Sequence, residues 1–266
     1  MSGAGRPELL IAGSASPHAY ALKPSDARKL ENAQVIFWVG PQLEIFLQHP
    51  LEIQGASARI YALVDTPGLV RLPVREGGLW ERDPHEDNHD FADEPALDPH
   101  IWLDPKNGVA MARAIAGILS ETDPQRSAQY RDNAEGFAGR MTELDSELQE
   151  RLQPLASQSY IVFHDAFLYF ETRYGLRPIG SVGVAADRPA GVRRVLDIRN
   201  RIASSKVRCV FVPPQFPPRM INVLTEKSDA RPVVLDELGT DITAGSGLYE
   251  ALLVRLAGGF ESCLAE

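Results

Sequence analysis

Ser159-Tyr160-Ile161-Val162-Phe163-His164-Asp165-Ala166-Phe167-Leu168-Tyr169-Phe170-Glu171-Thr172-Arg173-Tyr174-Gly175 reads as a strand that runs almost directly into a helix. The run from Ser159 to Phe163 is short, apolar and rich in β-branched and aromatic side chains, which suits a strand buried on both faces. Ala166 to Tyr174 then carries the spacing of a helix, and Gly175 supplies the residue on which helices commonly end. Strand followed by helix is half of a βαβ unit and predicts a parallel sheet. His164 stands at the C-terminal end of the strand, where open α/β sheets place their ligand sites.

The same rhythm extends in both directions. Upstream, Leu9 to Ala12 reads as a strand leading into the turn Gly13-Ser14-Ala15-Ser16-Pro17-His18. Pro24 to Ala33 reads as a helix with Ser25 as its N-cap, Gln34 to Val39 as a strand stopped by Gly40-Pro41, and Pro41 to Gln48 as a second helix. Downstream, Asp187-Arg188-Pro189 opens a helix to about Ser204. Val207 to Val212 is a strand, Pro218 to Lys227 a helix, Pro232 to Leu235 a strand ending at Asp236, and Gly247 to Leu264 a closing helix. Between the two series lie a helix from Asn107 to Glu121 and a longer one from about Pro124 to Leu152. In the longer one Tyr130, Ala134, Phe137, Met141, Leu144, Leu148 and Leu152 recur every three or four residues. At about 1.5 Å per residue it extends roughly 40 Å, too long for one lobe.

Residues 75–98 interrupt the pattern. They contain Gly77-Gly78, two prolines, eight acidic residues between Glu81 and Asp98, and the histidines His85 and His89. So little apolar surface cannot offset the entropy of ordering, so this stretch is expected to be a mobile loop, with His85 and His89 as accessory metal-capturing groups.

Composition sets further bounds. The 266 residues are 44% hydrophobic and 24% charged, an ordinary globular balance, and the net charge of -9, with no basic face standing out in the sequence, disfavours nucleic acid. No apolar run approaches the roughly 20 residues of a membrane span, and the chain as given begins without the hydrophobic core of a signal peptide. The two cysteines, Cys209 and Cys263, fall in an expected strand and the closing helix. Their spacing alone fits two buried thiols as well as a disulfide.

Three histidines carry the chemistry: His18 in Ser16-Pro17-His18-Ala19-Tyr20, His100 in Asp98-Pro99-His100-Ile101-Trp102-Leu103-Asp104-Pro105, and His164 in Phe163-His164-Asp165-Ala166. No local loop can gather residues so far apart in the chain. Three imidazoles brought together by the fold would form a transition-metal site, with Asp236 in Val234-Leu235-Asp236-Glu237-Leu238-Gly239 as a possible anionic fourth ligand. Three histidines and an open water position also describe a zinc hydrolase. That chemistry needs a general base, for which only Asp165 and Glu237 are at hand, and no His-Glu-x-x-His helix is present.

These motifs, with Pro214-Gln215-Phe216 and Leu235-Asp236-x-Leu238-Gly239, run in the order found in the zinc-specific solute-binding proteins of bacterial ABC uptake systems. From about residue 8 onward the chain resembles the ZnuA type of the cluster A-I metal-binding family. The resemblance implies an α/β fold of two lobes, each with a mainly parallel sheet flanked by helices, joined by one long rigid helix, with the metal in the interlobe cleft. The lobes would span 1–122 and 154–266, with 123–153 as the linking helix. It further implies Zn2+ as ligand, held by His18, His100 and His164 with Asp236 or water as the fourth ligand; a Cys209–Cys263 disulfide; and a periplasmic, monomeric, non-enzymatic role beside a permease and its ATPase. A manganese or iron receptor, or a metal-dependent adhesin, is the alternative within the same family. The chain departs from the family in two ways: Pro213 replaces a usual glutamate, and the first lobe is expected to lack its opening strand and helix.

Overall fold

The computed structural model describes residues 1–11, 15–18, 20–54, 58–75, 80, 96–183, 192–204, 207–214, 218–226 and 228–265. The chain divides into two compact units: residues 1–71, 99–145 and 244–246 form the first, and 72–98, 146–243 and 247–266 the second. Among the described residues no helix is long and apolar enough to cross a membrane.

The first unit alternates helix and strand: α1 (Pro24–Asn32), β1 (Val35–Trp38), α2 (Ile45–Gln54) and β2 (Arg59–Ala62). The two strands pair in parallel, Val35 opposite Arg59 through Trp38 opposite Ala62. Leu30, Ile36, Leu47 and Leu51 form the buried centre, with Leu10, Leu22, Trp38 and Phe46 packed around it. Then α3 (Pro105–Thr122) starts on Asp104, whose carboxylate accepts from the Lys106 N–H at 2.8 Å, with Pro105 at the first helical position where its missing N–H costs nothing.

Local expectations fail at three places here. Leu9 to Ile11 form no strand: Leu9 is 63% exposed and its carbonyl accepts from the Lys29 ammonium, while Leu10 packs on the apolar centre. Ser25 is not the N-cap of α1. Pro24 takes the first helical position and the cap falls on Lys23, whose N–H donates to the Asp26 carboxylate at 2.9 Å. The expected helix from Pro41 starts instead at Ile45 and runs through Pro50. Glu44 is the cause, since its carboxylate accepts from the Val39 and Gly40 N–H groups and holds residues 40–44 in a turn. Gly40 has φ 149°, and a Cβ there would lie 2.8 Å from a Val64 methyl, so the turn needs glycine.

The long helix α4 (Ser127–Leu152) has 26 residues, about 39 Å at ~1.5 Å per residue, and the division between the units falls within it. The second unit is built on β3 (Tyr160–His164), β4 (Ser181–Gly183), β5 (Cys209–Val212) and β6 (Arg231–Val234), all parallel in the order β4-β3-β5-β6. Their companions are α5 (Leu168–Tyr174), α6 (Val192–Ser204), α7 (Pro218–Thr225) and α8 (Leu248–Leu264). β3 and β5 are buried throughout, as their unbroken apolar runs require. Alternate residues serve opposite faces: Ile161, Phe163, Val210 and Val212 join Ile198, Ile202 and Leu224, while Tyr160 and Phe211 meet the ring of Phe260. Gly175 ends α5 at φ 72°, the left-handed cap expected of it.

Cys209 in β5 and Cys263 in α8 are bonded, tying the closing helix to a central strand. The bond closes a separation of 54 residues. By the chain-entropy relation that restricts the unfolded state by up to about 4 kcal/mol, and typical measured values run ~2–4 kcal/mol. Replacing both cysteines with Ser is therefore expected to lower unfolding free energy by about 2–4 kcal/mol in denaturant titration. An unchanged midpoint would show that α8 docks without help from the bond.

Candidate metal centre

In the first unit the fold brings His18 and His100 side by side. Their Nε2 atoms are 3.4 Å apart, with ring centroids at 5.4 Å. That separation exceeds the ~2.9–3.0 Å usual for an N–H donor. It equals the edge of a tetrahedron whose arms are zinc–nitrogen bonds of about 2.0–2.1 Å, roughly 3.3–3.4 Å. Each histidine is held by its own motif. Before His18, Ser16 Oγ accepts from the His18 N–H at 3.3 Å. After it, the Tyr20 hydroxyl donates to Asp26 at 2.9 Å, so the aspartate that anchors the start of α1 also fixes the chain leaving His18. The Lys23 N–H, with smaller help from Tyr20, holds the Asp26 carboxyl below its usual range.

His100 is 3% exposed and opens a single 3₁₀ turn, Ile101–Leu103, whose Leu103 N–H returns to the His100 carbonyl at 3.1 Å. The buried amide of Asn107 organises this turn. It donates to the carbonyls of Ile101 and Val70 and accepts from the Val70 N–H at 2.8 Å. The Trp102 ring lies 5.3 Å from that of His100.

In the second unit His164 is the last residue of β3 and 4% exposed. Its carbonyl accepts from the Ala166 N–H at 2.9 Å, turning the chain toward α5. Asp236 and Glu237 follow β6, two and three residues past its end, and their carboxylates have different surroundings. Asp236 is engaged by its own turn: Oδ1 accepts from the N–H groups of Leu238 and Gly239, and Oδ2 from the N–H and hydroxyl of Thr240. Glu237 is buried, and its Oε1 lies 4.0 Å from His164 Nδ1.

Next to His164, Asp165 is ion-paired with Arg75 at 3.0 Å, and the same guanidinium pairs with Glu171, which is 0% exposed. The Tyr160 hydroxyl donates to Glu171 at 2.8 Å, and the Trp80 ring covers Arg75 at 4.5 Å. Burial pushes the Glu171 carboxyl up, against the pull of Arg75 toward its ionised form. Pairing of Val74 with Ala96 and of Leu72 with Asp98 makes a stem below the acidic stretch, and Tyr169 bonds to both Leu72 and Asp98. The sequence makes Arg75 the first residue of the loop; in the structure it is half-buried and ion-paired to Asp165 and Glu171. His85 and His89 lie outside the described residues.

Residues 2–263 match the family model described as ZnuA, zinc-uptake complex component A, periplasmic. The chain belongs to the ZnuA family. It is 38% identical to the high-affinity zinc uptake system protein ZnuA of Brucella suis biovar 1 (strain 1330), over 100% of this chain and 87% of that relative. A crystal structure of ZnuA superposes with a TM-score of 0.75 at 25% identity, covering 96% of this chain and 90% of the other. The periplasmic zinc-binding protein TroA from Treponema pallidum shares the fold, with a TM-score of 0.77 at 20% identity and coverages of 96% and 90%. Membership in the ZnuA family makes the chain a solute-binding component, not an enzyme. The expected α/β architecture, with parallel sheets flanked by helices and one long helix, is the architecture of this family.

Two residues of this arrangement escaped the sequence reading, and the role of a third was not legible there. Asn107 and Arg75 gave no signal, because a lone amide and a lone guanidinium look alike in sequence whether solvated or buried. Glu237 was visible only as one of two adjacent acids, with nothing to say which one faces His164.

Proposed function

We propose that this chain binds Zn2+ outside the cytoplasmic membrane as a monomer and delivers it to the permease of an ABC transporter, whose ATPase drives uptake. The observation that carries the reading is the His18–His100 pair, whose nitrogens stand at the spacing of two ligands on one tetrahedral zinc. His164 is the third ligand in this assignment, supplied by the C-terminal end of β3. Three neutral imidazoles favour zinc over manganese, which prefers harder oxygen donors. Asp236 would have to give up the donors of its own turn to become the fourth ligand. Water therefore takes that position, and an exchangeable ligand suits a protein that must pass its cargo on.

The same donor set would serve hydrolysis only with a base beside the water. Asp165 is held by Arg75, which leaves it poorly suited to that task.

Calorimetric titration of the metal-stripped chain near neutral pH is expected to give one tight equivalent of Zn2+ and much weaker Mn2+ binding. Protons compete with the metal for every imidazole, so zinc affinity is present above the ordinary histidine pKa of about 6.5 and falls as pH drops through it. Equal affinity for Mn2+, or a tight site insensitive to acid, would overturn the assignment.

A further inference from the structure

We infer that Glu237, rather than its neighbour Asp236, is the acidic residue that serves the metal site, and that it acts as a positioning residue for His164. The inference rests on His164 being a ligand. An imidazole has two nitrogens, and the partner of one decides which is left for a metal. His164 Nδ1 faces the Glu237 carboxylate at 4.0 Å, inside a buried part of the second unit. That is about an ångström beyond a hydrogen bond, which makes the carboxylate the near neighbour of this nitrogen. A carboxylate accepting from Nδ1–H fixes the proton on that nitrogen, turns Nε2 outward as the ligand atom, and raises its basicity.

The turn after β6 is built to hold Glu237 there. The Leu235 N–H donates to the Val212 carbonyl at 2.9 Å, continuing the alignment of β6 with β5 to the C-terminal edge of the sheet, the edge at which β3 ends in His164. Asp236 then gathers three successive backbone N–H groups and the Thr240 hydroxyl on its carboxylate. Gly239 completes the turn at φ 65°, where a Cβ would lie 2.9 Å from the end of Ile242. The division of labour follows: Asp236 shapes the turn, and the turn presents Glu237 to His164.

The test compares Glu237→Ala, Glu237→Gln and His164→Ala by zinc titration, with thermal unfolding of each metal-stripped chain as a check on folding. Outer partners of ligating histidines are worth about 10- to 100-fold in metal affinity. Glu237→Ala is expected to lose that much, and Glu237→Gln less, because its amide oxygen still accepts from Nδ1–H. A purely structural role would move the melting temperature without moving the tautomer. The deciding measurement is therefore 15N NMR of the His164 ring in the zinc-loaded wild-type chain, with Nδ1 protonated and Nε2 bound to metal. Zinc on Nδ1 would overturn the inference. So would full affinity in Glu237→Ala alongside a loss in His164→Ala, a result that leaves the proposed function standing. Full affinity in His164→Ala would instead remove His164 from the ligand set, and this inference with it.

Discussion

Replacing His100 with Ala is expected to weaken zinc binding by about a hundred- to a thousandfold, with His18→Ala close behind. Four-ligand structural zinc sites bind with roughly 10–16 kcal/mol. One ligand's share is then on the order of 3–4 kcal/mol, which corresponds to a factor of 10²–10³. His100 is the more informative position because its ring is buried and its turn is set by Asn107 and the start of α3. Little can move in to replace it. The measurement is competition against a chromophoric chelator, with the metal-stripped variant checked for native melting. A His100→Ala chain that still bound one equivalent with unchanged affinity would show that the His18–His100 pair is a packing contact.

The second large effect concerns stability. Residues 76–95 should be removable with a short linker, since Val74 pairs with Ala96 across the base of the stretch. Extending the deletion by one residue, to include Arg75, is expected to cost about 3–5 kcal/mol. That is the usual consequence of stripping one partner from a buried ion pair, here leaving a fully buried Glu171 and its neighbour Asp165 without their cation. For a chain of this size the loss is roughly 10 °C in melting temperature. The single substitution Arg75→Met should act in the same direction, and Arg75→Met combined with Glu171→Gln should recover much of the loss by removing the stranded charge. If the two deletions melted together, Arg75 would be a surface residue in its effect. The expectation from sequence, that the mobile loop begins at residue 75, would then stand.

Much of the second unit was legible because local signals agreed with one another. The apolar runs from Ser159 to Phe163 and from Val207 to Val212 suit strands buried on both faces, which β3 and β5 are, and Gly175 and Pro218 mark helix boundaries where the structure has them. The first unit was read less well. Leu9 and Leu10 look like a strand because an apolar run carries no information about whether a partner strand lies beside it. Pro41 looks like a helix start because nothing local announces that the Glu44 carboxylate will close a turn ahead of Ile45.

The sequence by itself determined the class of fold and the family, and it named the histidines and the aspartate as candidate ligands. Those follow from periodicity, from turn and cap residues, and from ordered motifs, all local in the chain. Only the tertiary structure decided which groups meet: that the His18 and His100 nitrogens stand one tetrahedral edge apart, that Cys209 and Cys263 are joined, and that Glu237 faces His164 while Asp236 is turned to its own backbone. It also decided that Arg75 neutralises Glu171. Each of these is a contact between segments distant in sequence or a choice between adjacent residues. Distance and direction at the ångström scale are set by how whole elements pack, and no single segment encodes them.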